Sequence, residues 1–188
     1  MRWRHPGLTW LAALLCASLP GTAPAQEDGR FEIRNAFVER AGGEWLLDVR
    51  LDLALAEAAQ QSFDEGVPLM LVLEVEASVE RRLLPDQTVV SFERRWQLAF
   101  DAIAQRYVVT DTAGGQETYG TQADALASFA RLREIPVADE STLPPDSRFN
   151  MRVRASVEVG ELPAAIKLLL FWKNWSRSTE WYAWSVRP

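Results

Sequence analysis

The 188-residue chain carries 26 acidic and 20 basic side chains, a formal charge of −6, and only one histidine and one cysteine, His5 and Cys16. Both fall in an N-terminal stretch that reads as an export signal, so the rest offers no Ser-His pair, no thiol nucleophile, no His or Cys metal ligand, no implied cofactor and no disulfide. Its acidity argues against nucleic acid and against simple electrostatic docking on anionic lipid.

Arg2 and Arg4 precede an apolar run over 8–19, broken by Pro20 and Gly21 and followed by Ala23-Pro24-Ala25. A charged start, a short apolar segment and small residues at a cleavage position form the signal-peptide pattern. The run is shorter than the ~20 residues a membrane span needs. Cleavage after Ala25 leaves a single exported domain, 26–188, with 163 residues and a charge of −8. The expected location is the periplasm, with no transmembrane segment after the signal. A domain of this size buries about 70% of its unfolded surface without a disulfide staple.

Residues 31–40 and 44–55 predict a β-hairpin around Ala41-Gly42-Gly43. In its second arm Trp45, Leu47, Val49, Leu51, Leu53 and Leu55 alternate with Leu46, Asp48, Arg50, Asp52 and Ala54, the two-residue period of a strand with one wet face. A short helix over 57–65 should end at Gly66 and cannot pass Pro68. Residues 69–82 and 88–100 predict a second hairpin across Pro85-Asp86-Gln87, a turn sequence. Arg94 interrupts the apolar face of Val90, Phe92, Trp96, Leu98 and Phe100, which predicts a bulge or an edge position there. Strand continues over 106–110, and Ala113-Gly114-Gly115 turns the chain. Thr121 should cap a helix whose face is Ala125, Leu126, Phe129 and Leu132, stopped by Pro136. Residues 139–147 read as an exposed loop. Residues 149–159 alternate as a strand, 162–172 predict an apolar helix with Pro163 in its first turn, and 179–186 form a last strand. The fold class is mainly β: an antiparallel β-sandwich or curled sheet with one or two short helices.

Several segments together resemble a proteobacterial family of exported proteins described as a domain of unknown function (DUF4390-like). They are Gly66-Val67-Pro68-Leu69, Trp96-Gln97-Leu98 leading to Gln105-Arg106-Tyr107-Val108-Val109, the helix over 123–132 with Pro136-Val137, then Arg152-Val153-Arg154, Leu162-Pro163 and 178–184. Their shared order carries the likeness, which spans most of the chain after the signal. It implies an envelope protein, encoded near membrane sensor kinases, and no defined activity. Phe100-Asp101-Ala102-Ile103 departs from the Tyr-rich segment expected there, leaving the register of that strand open.

The densest local feature is the tail, where Phe171, Trp172, Trp175, Trp181, Tyr182 and Trp184 cluster. On a strand, Trp181 and Ala183 face one way, Tyr182 and Trp184 the other. One set can fill the core. The second is either cross-strand packing or a surface that stacks on sugars or anchors a partner. Trp172, Trp175, Arg177, Glu180, Trp181 and Trp184 are the candidate binding residues. The 162–172 segment is apolar all round, as buried helices are, or else docks on a membrane or partner. Asp48 and Asp52 share a strand face and are a candidate pair of glycosidase acids, but Arg50 between them reads better as an ion ladder. Arg81-Arg82, Arg94-Arg95, Arg152 and Arg154 either form an anion site or pair with Glu74, Glu76, Glu80 and Glu93. No calcium loop, P-loop or Rossmann motif occurs, and no catalytic residue or metal ligand is assigned. The leading expectation is a non-catalytic periplasmic binding domain with an envelope or membrane protein partner, a sensor kinase by the family resemblance. The alternatives are a glycan hydrolase using two carboxylates and a lipid-contacting envelope protein.

Overall fold

A computed structural model describes residues 29–81, 84–143, 146, 148–159 and 176–187. The elements in chain order are β1 (Arg30–Ala41), β2 (Glu44–Ala54), α1 (Glu57–Asp64), β3 (Leu69–Val79), β4 (Gln87–Asp101), β5 (Arg106–Asp111), β6 (Gln116–Tyr119), α2 (Gln122–Phe129), β7 (Arg131–Asp139), β8 (Phe149–Val159), β9 (Ser176–Ser178) and β10 (Tyr182–Val186). One sheet has the order β1-β2-β7; the other runs β10-β8-β3-β4-β5-β6, with β9 also paired to β8. Every pairing is antiparallel. The fold is the mainly β sandwich with two short helices that the alternation predicts.

The inner faces follow from period-two patterning. Leu47, Val49 and Leu51 of β2 join Leu69, Leu71, Leu73 and Val75 of β3 and Met151, Val153, Ala155 and Val157 of β8 in one buried cluster. Trp45 closes one end of this core. Its Nε1 donates to the Leu143 carbonyl at 2.7 Å, and its ring meets Phe149 edge-on at 5.1 Å. The hairpin turn uses Gly42 and Gly43 at φ 63° and 86°, a region that glycine enters without steric cost.

Three elements differ from the sequence reading. α2 starts where expected, with the Thr121 hydroxyl accepting the Asp124 N–H at 3.1 Å. It ends at Phe129, however, and Leu132 belongs to β7, which pairs with β2 through Val49↔Leu132 and Leu47↔Ile135. Tertiary pairing therefore overrides the helical spacing. Pro136 does not stop a helix but lies within β7, an edge strand, where a missing N–H is tolerated. The last strand begins at Tyr182 rather than at Thr179, and the short β9 precedes it. Between β9 and β10 the regular pairing lapses, although the Thr179 N–H still donates to the Ala155 carbonyl at 2.8 Å and its hydroxyl accepts the Ala155 N–H at 3.1 Å. At Arg94 there is no bulge: β3 and β4 stay in register through Leu73↔Arg94. β5 reaches only as far as Trp96↔Asp111, so Arg94 occupies the edge position allowed as the other option.

The Phe100-Asp101-Ala102-Ile103 segment ends β4 cleanly at Asp101↔Arg106. The Asp101 carboxylate accepts the N–H groups of Ile103 and Ala104 at 2.9 and 3.0 Å, forming the turn into β5. Edges are interrupted throughout: β1 carries an extra residue at Arg34, β7 has two register shifts, and β6 is four residues long. Such interruptions discourage edge-to-edge association.

Candidate functional site

The larger sheet extends past the smaller one at its β4–β6 end. α2 and β7 roof this overhang and leave an open cleft of about 920 Å³. Trp96, Val109, Phe129, Leu132 and Ile135 supply an apolar floor, all of them buried. Alternate residues of β4, β5 and β6 put Arg94, Asp111, Glu117 and Tyr119 on its walls; Asp124 and Ser128 come from α2, and Arg131 and Arg133 from β7.

The wall groups are tied to one another. Arg94 Nε lies 3.2 and 3.1 Å from the two Asp111 oxygens, with a further bond from Nη2. The guanidinium stands 5.7 Å from the centre of the Trp96 ring. Asp111 also accepts the Ala113 N–H at 2.9 Å. Burial pushes the Asp111 carboxyl up, but the hydrogen bond from Arg94, the Ala113 N–H and the Arg94 charge together hold it below the ordinary carboxylate value. Across the cleft, the Tyr119 hydroxyl bonds the Glu117 carboxylate and lies 2.5 Å from Ser128 Oγ. Ser128 Oγ in turn donates to Glu117 at 3.3 Å. Burial, and then the Glu117 hydrogen bond, raise the Tyr119 phenol above its usual range. This trio pins β6 to α2.

The cations at the rim are different. Among the described residues, Arg50, Arg106, Arg131 and Arg133 have no ion-pair partner. Arg131 and Arg133 line the cleft. Arg106 Nη1 comes within 3.8 Å of where a Gly120 Cβ would stand, and Gly120 lines the β6 side. Arg50 lies opposite Arg131 in the β2–β7 register, a like-charge juxtaposition that costs stability.

The tail residues expected to bind do not form one site. Trp172 and Trp175 lie outside the described residues. Arg177 Nη1 donates to the Gly29 carbonyl at 2.7 Å, fastening the start of β1. Glu180 is exposed, and its carbonyl accepts the Thr179 hydroxyl at 2.8 Å. Trp181 lies on the outer face of the sheet, 4.7 and 4.8 Å from the guanidiniums of Arg152 and Arg154. Trp184 is opposite Met151 on the inner face and packs against the core. The apolar 162–172 segment is also outside the described residues.

The other sequence candidates have structural partners. The Asp48 carboxylate accepts the N–H of Glu134, a residue at φ 52°, at 2.8 Å. Asp52 pairs with Arg30 and Arg34 rather than with Arg50, so the expected ladder does not form. The arginines do not gather into an anion site: Arg152 pairs with Glu76, Arg154 with Glu74 and Arg95 with Glu93, while Arg94 turns inward to Asp111.

Sequence reasoning missed the cleft, although the charge of Arg94 on an apolar face was its visible trace. Among the described residues no helix is long and apolar enough to cross a membrane, and no group of three or more His, Cys, Asp or Glu is placed to hold a metal ion. No curated protein and no solved structure matches the chain significantly. The sequence profile of the family described as "Domain of unknown function (DUF4390)" matches residues 28–185, and the chain belongs to that family.

Proposed function

We propose that this protein is a non-catalytic periplasmic binding domain whose ligand enters the cleft between β4–β6, α2 and β7. Its partner is an envelope component, and the outer domain of a membrane sensor kinase is the candidate that the family resemblance favours. The observation that carries the reading is the make-up of the cleft, an apolar floor walled by polar side chains bonded to one another. General acid–base catalysis needs a pKa near the working pH. Here Asp111 is held below its normal value and Tyr119 above its own, so both move away from neutrality. An apolar floor with a few polar groups on its walls is instead the usual make-up of a ligand site. A photo-crosslinking residue placed at exposed Ala127, which lines the cleft from α2, should give a defined adduct in intact envelopes, and one at exposed Ser185 should not. Adducts from Ser185 alone would overturn the assignment.

A second reading keeps the aromatic tail as a contact surface, with Trp181, Arg177 and Glu180 as its described members; Trp172 and Trp175 lie outside the described residues, and Trp184 packs against the core. It is favoured by Trp181, which stacks on two guanidiniums while remaining half-exposed. Under this reading Trp181→Ala abolishes partner binding without changing stability by more than about 1 kcal/mol.

A further inference from the structure

We infer that the cleft takes up an extended segment of a partner polypeptide as an added strand alongside β7, held by main-chain hydrogen bonds. The inference rests on the reading of the cleft as the binding site and names the form of what enters it. Three observations carry it.

First, the two sheets are unequal. The smaller one ends at β7, while the larger continues through β4, β5 and β6. A strand next to β7 would lie across the inner faces of that overhang. α2 fills part of the place with Ala125 and Phe129, both buried, and the cleft is the part left open. Its floor at Trp96, Val109 and Ile135 is a surface on which every second side chain of such a strand would rest.

Second, β7 turns its main-chain edge to the cleft. Leu132 faces the core, and Arg131 faces outward opposite Arg50. Yet Arg131, Leu132 and Arg133 all line the cleft, as consecutive strand residues do where the backbone itself forms the wall. The hydrogen bonds agree. The Ala130 carbonyl accepts the Leu51 N–H at 2.9 Å, so the Arg131 N–H, across the same trans peptide, points away from β2. The Val49↔Leu132 pair returns to β2, and the alternation of an antiparallel ladder turns the Arg133 groups outward again. Among the described residues β2 is the one strand paired with β7, which leaves this edge as a template for another. The template is short, since Glu134 donates its N–H to Asp48 and Pro136 has none. It suits a peptide segment rather than long edge-to-edge pairing of two copies.

Third, the side chains of the cleft select no charge. Its lining has three arginines against three carboxylates, and Arg94 and Asp111 are paired with each other. A ligand held through its backbone, with uncharged side chains on the floor, matches that balance. Strand addition takes its affinity from main-chain bonds and its specificity from pockets for alternate side chains.

The test is an NMR titration of the protein with a capped hexapeptide alternating valine and serine, against the same peptide N-methylated throughout. The second peptide keeps every side chain and has no main-chain donor. The parent peptide should shift the Trp96 indole and slow exchange of the Arg131 and Arg133 N–H groups about tenfold or more; the methylated one should do neither. Arg133→Pro removes one outward N–H where the preceding Leu132 is already extended, as a residue before proline prefers. It should weaken binding about five- to tenfold, the equivalent of one hydrogen bond, and Arg133→Ala should bind like the wild type. The methylated peptide probes the same bonds without touching the fold. Cleft shifts that survive methylation, or that leave exchange at Arg131 and Arg133 unchanged, would overturn strand addition while keeping the cleft as a site. No saturable shift at the cleft would overturn strand addition and leave the cleft to its crosslinking test. Binding confined to β10, the far edge of the larger sheet, would overturn the inference and the cleft reading together.

Discussion

Breaking the Arg94–Asp111 pair tests how the cleft wall is held. The two side chains retain 23% and 17% of their exposure, so the pair is neither a free surface ion pair nor fully buried. Surface pairs contribute about 0–1 kcal/mol, and loss of one partner from a buried pair costs about 3–5 kcal/mol. At this intermediate burial, with bidentate geometry, Arg94→Met should cost about 2 kcal/mol. Asp111→Asn should cost a similar amount, and the double variant about 1–2 kcal/mol less than the sum of the singles, because no charge is then left unpaired. Urea denaturation at neutral pH measures all three. The Asp111 pKa is lower in the folded state than in the unfolded one. Its contribution is therefore fully present above the unfolded value of about 3.9 and is lost as pH falls through the lower folded value. The stability gap between the wild type and Asp111→Asn should narrow only below about pH 4. A gap that closes between pH 7 and 5, or singles that add without coupling, would refute the argument.

Other consequences are separable from this one. Gly29→Ala should destabilise by about 1–3 kcal/mol in thermal or urea melts, since a Cβ there would stand 2.4 Å from the Ala54 carbonyl oxygen and 2.5 Å from the Ala56 nitrogen. Asp48→Ala should cost about 0.5–1.5 kcal/mol by removing the hydrogen bond to the exposed Glu134 N–H, and Glu134→Gly in that background should recover part of the loss because glycine accepts the positive φ; no recovery would mean that strain at this position is not involved. Trp45→Ala should cost about 3–5 kcal/mol as a core truncation, whereas Trp181→Ala, which loses only cation–π contacts, should cost about 1 kcal/mol or less; similar costs for the two would place Trp181 in the core.

What could be read from the sequence follows from where each signal resides. β2 is legible because one face is buried and one wet, so its alternation is local. β7 is not, because Leu126, Phe129 and Leu132 keep helical spacing while pairing with β2, more than eighty residues away, decides the strand. Thr121 marks the start of α2 through its own hydroxyl, but nothing local marks the end. The cleft is assembled from β4, β5, β6, α2 and a strand of the other sheet, so none of its walls is a motif. Arg94 was visible as an anomaly, yet its meaning depends on Asp111, seventeen residues on. Arg131 and Arg133 were concealed inside a segment read as helix. The tail aromatics drew attention through composition, and the alternation read from the sequence does send Trp181 and Trp184 to opposite faces.

The most direct measurement of the central claim compares the wild type with Ala127→Trp, which places a bulky ring in the cleft from the exposed face of α2. Amide and indole spectra of both would be recorded with a size-fractionated envelope extract. The account predicts shifts centred on Trp96, Ser128 and Arg131 in the wild type and their loss in the plugged variant. Shifts that persist in the plugged variant, or that centre on Trp181 in both, would contradict it.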